Sequence, residues 1–146
     1  MRYGLDTNFL AYFAGVDRAP SDGRKIELAR ELVGSLAQDA ELVVPVQALG
    51  ELFVVLQRAG ASKTEAREIV IAFQQDFSVV ASEQSTFLSA LDLAAEHQFQ
   101  MWDALIINAV ADAGCTILLT EDMQHGFVWR GVKLFDPFGE VPLPIG

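Results

Sequence analysis

Five short stretches of this chain are apolar or β-branched almost throughout, and helix-forming stretches separate them. They are "RYGL" (2–5), "ELVVP" (41–45), "FSVVA" (77–81), "TILLT" (116–120) and "VKLFD" (132–136). A strand with one wet face alternates apolar and polar residues. A strand that is apolar on both sides must be covered on both sides. Strands of this kind in alternation with helices predict an α/β fold, a small central parallel sheet of about five strands flanked by helices on both faces.

The intervening segments carry helical signals. A short helix is expected over 8–14. Residues 22–38 have apolar positions at 26, 28/29, 32/33 and 36, which is helical spacing. Pro45 stands just before or at the start of a helix that runs to about Arg58, and Gly60 ends it. Ser62 followed by Glu65 is a capping box and opens a helix to about Gln75. Two further helices are expected over 85–97 and 102–113, the second ended by Gly114. No repeat or internal linker interrupts the pattern. One domain over 1–140 is expected, with "VPLPIG" as a loose tail over 141–146.

About half of the 146 residues are hydrophobic, enough for a sizeable core. No apolar run approaches the ~20 residues that cross a bilayer. Asp6 interrupts the first apolar stretch, which argues against a secretory leader. The lone Cys115, in "AGCTILL", has no internal disulfide partner and reads as a buried core residue. The expectation is a cytoplasmic protein. The net charge of −10 excludes a broad basic surface for nucleic acid but leaves room for metal-assisted chemistry on phosphates.

Several acids occur alone in apolar stretches. Residues 3–16 hold only Asp6, 42–57 only Glu51, 97–111 only Asp103, and 113–129 only Glu121 and Asp122. No Lys or Arg accompanies them, and burying an unpartnered carboxylate is costly. Each acid has an ordinary reading: Asp6 or Asp103 as a helix cap, Glu51 on the wet side of its helix. Together they point elsewhere. Asp6 and Asp122 end strands on the same edge of the sheet, where α/β folds bind ligands. Glu51 and Asp103 lie in the first or second turn of helices that begin near that edge. Carboxylates gathered there repel one another, and a hard cation such as Mg²⁺ or Mn²⁺ relieves the repulsion. Such a cluster suits activation of water against a phosphodiester.

In this order and spacing, "LDTNFL", "GELFVVL", "WDALI" and "LLTEDMQHG" resemble the PIN-domain family, particularly the VapC-type toxins of toxin–antitoxin pairs. The resemblance runs from Leu5 to about Phe138 and includes "GVKLFDPF". It implies an Mg²⁺-dependent endoribonuclease, with tRNA a candidate substrate, whose acidic site is Asp6, Glu51, Asp103 and Asp122. Asp6, Asp103 and Asp122 would hold the ion; Glu51 would bind it through water or orient the attacking water. Thr7 and Asn8 match the polar pair after the first acid, and Thr120 matches the hydroxyl residue two before the last. Thr120 and Asn8 would fix carboxylate rotamers by hydrogen bonds. Glu121 beside Asp122 leaves open which of the two faces the ion, with Asp122 favoured because strand neighbours point oppositely. The resemblance also implies an antitoxin partner and a homodimer.

The candidate phosphate contacts are Arg18, Arg24 and Lys25, set against an ordinary solvated charge run. His125 reads as a loop residue with a local hydrogen bond. His97 sits favourably at a helix end. Trp102, Phe99 and Met101 read as core or interface packing, with base stacking the lesser alternative. Phe9, Tyr12 and Phe13 form more apolar surface than a short helix must bury, which suggests an interface with a second copy or an antitoxin helix.

Other functions fit less well. A phosphoacceptor signalling domain needs an acid after its central strand, and "SVVA" lacks one. A structure-specific DNA nuclease needs added elements for which the chain has little room. A PIN-like domain used only for binding or scaffolding, with an acidic metal pocket, is the alternative; it would be expected to lose acids, and all four are present.

Overall fold

A computed structural model describes residues 1–139 and 143. The chain forms β1 (Arg2–Leu5), α1 (Thr7–Ala14), α2 (Asp22–Leu36), β2 (Glu41–Pro45), α3 (Val46–Arg58) and α4 (Lys63–Asp76). Then follow β3 (Ser78–Val80), α5 (Gln84–His97), α6 (Met101–Asp112), β4 (Ile117–Leu119), β5 (Val128–Trp129) and β6 (Val132–Phe135).

The strands make one sheet in the order β3-β2-β1-β4-β6-β5, parallel except for β5 against β6. β1 is central, with Gly4 opposite Val43 on one side and Leu118 on the other. After their first residues, β1 and β2 are buried throughout, as is the whole of β4. That is the pattern expected of strands covered on both faces. α1 packs on both α2 and α3, α3 packs on α4, and α5 packs on α6. Right-handed crossovers place these two groups on opposite faces of the sheet.

Gly4 is required by the approach of α6. A Cβ there would meet Val110 Cγ1 at 2.7 Å and Leu118 Cδ1 at 3.1 Å. The core joins Leu5, Leu118, Leu119 and Leu134 of the strands to Phe9, Leu52, Leu93 and Ile106 of the helices, all essentially inaccessible. Cys115 is buried in the same core.

One strand was not expected, and one expectation is corrected. β5 is an unexpected two-residue strand, folded onto β6 through Arg130 and Gly131, both at positive φ (49° and 81°). The apolar cluster on α1 is not an interface. Phe9 and Tyr12 are buried against Phe138, and Phe13 packs on Phe73 and Phe77. The aromatic surplus is therefore consumed inside the fold. Of the expected tail, residues 141–146, only Leu143 is among the described residues, and it packs against the core; the rest, with the domain boundary at 140, lies outside them. Among the described residues, no helix is long and apolar enough to cross a membrane.

Candidate active site

The central strands deliver the first acids. β1 and β4 run side by side, and the Asp6 N–H donates to the Leu119 carbonyl (3.3 Å), so both chains leave the sheet together. Asp6 follows β1 directly and caps α1: its Oδ1 accepts from the Phe9 N–H at 2.9 Å. Asp122 leaves just beyond β4. Glu51 stands in the second turn of α3 and Asp103 in the first turn of α6. All four line one cavity of about 730 Å³. Asp6 thus both caps α1 and lines the cavity; Asp103 caps nothing, since Gln100 holds the cap position of α6.

Hydrogen bonds orient these acids. Thr7 donates from Oγ1 to Glu51 Oε2 at 2.6 Å, and Gln47 Nε2 donates to Oε1 at 3.1 Å. Asn8 donates from its amide to Asp122 Oδ2. Thr120 is fully buried, and its hydroxyl has no partner in hydrogen-bond geometry among the described residues. It nonetheless lies near enough to Asp6 to favour the ionised carboxylate. Gln47 is a support that the sequence reading missed; a Gln four residues before an acid in a helix was the available signal.

The electrostatics are those of acids short of positive charge. Burial pushes the Asp6 pKa from 3.8 up to about 7; Thr120 and the Phe9 N–H oppose the rise, while Asp122 and Asp103 add to it. Asp103 is also raised, by burial first and then by Glu51 and Asp122. Asp122 is raised by burial and then by Glu121, with Lys25 and Arg18 pulling the other way.

The two acids after β4 separate cleanly. Glu121 accepts from the Tyr12 hydroxyl at 2.8 Å and pairs with Lys25 Nζ at 2.5 Å, and Lys25 lies 5.4 Å from the Tyr12 ring centre. Glu121 is thus committed away from the cavity that Asp122 lines. Lys25 is committed with it. Arg18 and Arg24 are exposed but do not line the cavity. Among the described residues, the cation on its wall is Arg58, the last residue of α3. Trp102 also lines the cavity and is 57% exposed, so of the core or interface packing expected for it the core part does not hold; Phe99 and Met101 do pack on the core. His125 accepts at Nδ1 from the Asp136 N–H (3.0 Å), a local loop bond, and His97 packs edge-on against Phe127 and Trp129.

Among the described residues, no three His, Cys, Asp or Glu side chains close into an ion-sized cluster. The acids face a common space without enclosing it. This suits an ion that takes one or two carboxylates and keeps several waters, as Mg²⁺ does, better than one caged by protein alone. The all-oxygen donors, the raised pKa values of Asp6, Asp103 and Asp122, and the orphan Thr120 hydroxyl beside Asp6 fit such a cation in chemistry.

Comparison with known proteins agrees with this architecture. The pattern of the family described as "PIN domain" matches residues 3–126. No curated protein sequence matches the chain. Similar solved structures include VapBC2 of Rickettsia felis bound to a promoter DNA fragment, with 16% identity and TM-score 0.65 over 84% of this chain and 89% of that one. VapC20 of Mycobacterium tuberculosis, described as a toxin that cleaves the sarcin–ricin loop, aligns at 18% identity and TM-score 0.62, covering 80% and 86% of the two chains. A toxin–antitoxin complex of Klebsiella pneumoniae aligns at 17% and TM-score 0.63, covering 89% and 94%. At these identities the structures speak for the fold. The family pattern spans most of the chain, and on that ground the protein belongs to the PIN-domain family.

Proposed function

We propose that the chain is a metal-dependent endoribonuclease and the toxin of a toxin–antitoxin pair. The observation that carries the reading is the convergence of Asp6, Glu51, Asp103 and Asp122, from four separate elements, on one cavity at the carboxyl edge of a PIN-domain sheet. Asp6 and Asp103 would hold the ion and Asp122 would complete the site. When bound, Mg²⁺, or Mn²⁺ in its place, supplies Lewis acidity toward water and the phosphate. Glu51, held by Thr7 and Gln47, would orient the attacking water. Asn8 fixes the Asp122 carboxylate, and Thr120 favours the charged form of Asp6.

The antitoxin part of the reading is supported by neighbours described as toxin–antitoxin assemblies and by the net charge of −10, which suits a basic partner. The same reading includes a homodimer. With the α1 aromatics buried, the exposed Phe87, Leu88 and Leu91 of α5 offer the apolar surface for it.

The test is incubation of the purified chain, free of antitoxin, with total cellular RNA in Mg²⁺ or Mn²⁺, with EDTA and Asp6→Asn as controls. Discrete fragments that disappear in both controls are expected. Folded protein that leaves every RNA intact in either metal overturns the catalytic reading in favour of a binding domain.

A further inference from the structure

We propose that Trp102 is a stacking platform for an unpaired nucleotide of the substrate, and that Arg58 meets the RNA backbone beside it; this rests on the ribonuclease reading above. Trp102 is 57% exposed, and among the described residues no aromatic ring or cation stacks on it. The other tryptophan is different: Trp129 donates from Nε1 to the buried Asn108 (3.0 Å) and packs against the core. The Trp102 indole offers an open aromatic face, and it stands on the wall of the acidic cavity. It directly precedes Asp103 in the first turn of α6, so a rigid helix sets its distance from the carboxylates.

Charge makes the same demand. Four acids and a net charge of −10 repel a polyphosphate, and among the described residues lining the cavity Arg58 is the one cation. It makes no ion pair with another described residue. One cation offsets little of that repulsion, so contacts that do not depend on charge must add to the attraction. Stacking on an aromatic ring is such a contact. It accepts any base, but only one free of its own helix. A base stacked on Trp102 must therefore be unpaired where it meets the indole.

The experiment uses the full chain carrying Asp6→Asn, so that RNA survives, with a short fluorescently labelled RNA strand, alone or annealed to its complement. Tryptophan emission and label anisotropy are both read. The expected result is saturable quenching by the single strand and little by the duplex. Trp102→Ala should weaken single-strand binding by roughly 5- to 150-fold, whereas Trp102→Phe keeps most of it. Arg58→Ala should lower the log–log salt slope of binding by about 0.7. In the chain with Asp6 intact, Trp102→Ala should raise KM for RNA more than it lowers kcat. If Trp102→Ala binds and cleaves as the parent does, or if duplex binds equally well, stacking is refuted while the ribonuclease reading stands. If Trp102→Ala leaves RNA binding intact but dissociates a dimer in sedimentation, the indole is a protein contact and the proposal is wrong. If the parent neither binds nor cleaves RNA in any divalent ion, both readings fall.

Discussion

Replacing Asp6 by Asn tests the electrostatic account of the site without reference to any substrate. Asn also caps helices well, so the bond from the Phe9 N–H is retained and only the ionisable group is lost. The folded pKa of about 7 lies above the ordinary 3.8. The folded protein therefore holds this proton more tightly than the unfolded chain does. Stability from this source is complete below pH 3.8 and is lost as pH rises to about 7. At about 1.4 kcal/mol per pH unit the loss amounts to about 4 kcal/mol. In EDTA, Asp6→Asn should escape it. The variant should gain about 2 kcal/mol over wild type at pH 5 and about 4 kcal/mol at pH 8. For a chain of this length that is on the order of 4–8 °C and 8–16 °C in melting temperature. Thermal melts at both pH values are the assay. The growth of the gain with pH is the decisive quantity, because differences between a neutral acid and an amide do not vary with pH. A gain equal at the two pH values, or a loss at pH 8, would refute the claim that Asp6 is ionised at a cost.

Divalent cation should invert that comparison: at pH 8, Mg²⁺ at a hundred times its Kd should stabilise the wild type by about 2.7 kcal/mol, and Asp6→Asn by much less, as read by melting with and without chelator. Gly4→Ala should cost about 1–3 kcal/mol by overpacking against Val110, and Val110→Ala in the same chain should recover part of it, so that urea denaturation shows the two changes to be non-additive. Asn108→Ala should cost about 1–3 kcal/mol, since it strips the acceptor from Trp129 and Arg130; amide exchange should rise first in β5 and β6. Asn8→Ala should leave melting nearly unchanged while lowering kcat for RNA cleavage, because it frees the Asp122 carboxylate to turn.

Much of the fold was legible because burial on both faces leaves a local mark. The apolar runs at 2–5, 41–45 and 132–136 coincide with β1, β2 and β6 to within a residue, and the capping box at Ser62 opens α4 as expected. What escaped depended on distant partners. β5 is too short to show a pattern, and its turn uses Arg130 at positive φ where Asn or Gly is the recognisable signal. The α1 aromatics looked surplus because Phe73, Phe77 and Phe138, which cover them, lie far along the chain. For the site, isolated acids in apolar segments were visible one by one, and the structure brings those four to one cavity. The choice between Glu121 and Asp122 needed Tyr12 and Lys25, more than ninety residues away. Arg58 and Trp102 sit on helices whose orientation about the cavity no local pattern encodes.

The central position of β1 has a consequence for the chain during its synthesis. Its partner β4 is made last among the strands it touches, and Asp122 follows Asp6 by 116 residues. At bacterial or eukaryotic elongation rates these two acids are joined to the chain on the order of 6 to 20 s apart. Until β4 has cleared the ribosome and zipped onto β1, Asp6 stands beside an open edge and the four-acid cavity does not exist. On the ribonuclease reading proposed above, a nascent chain would lack its site and leave the surrounding RNA intact, the ribosome's own included, until translation of the molecule is nearly complete.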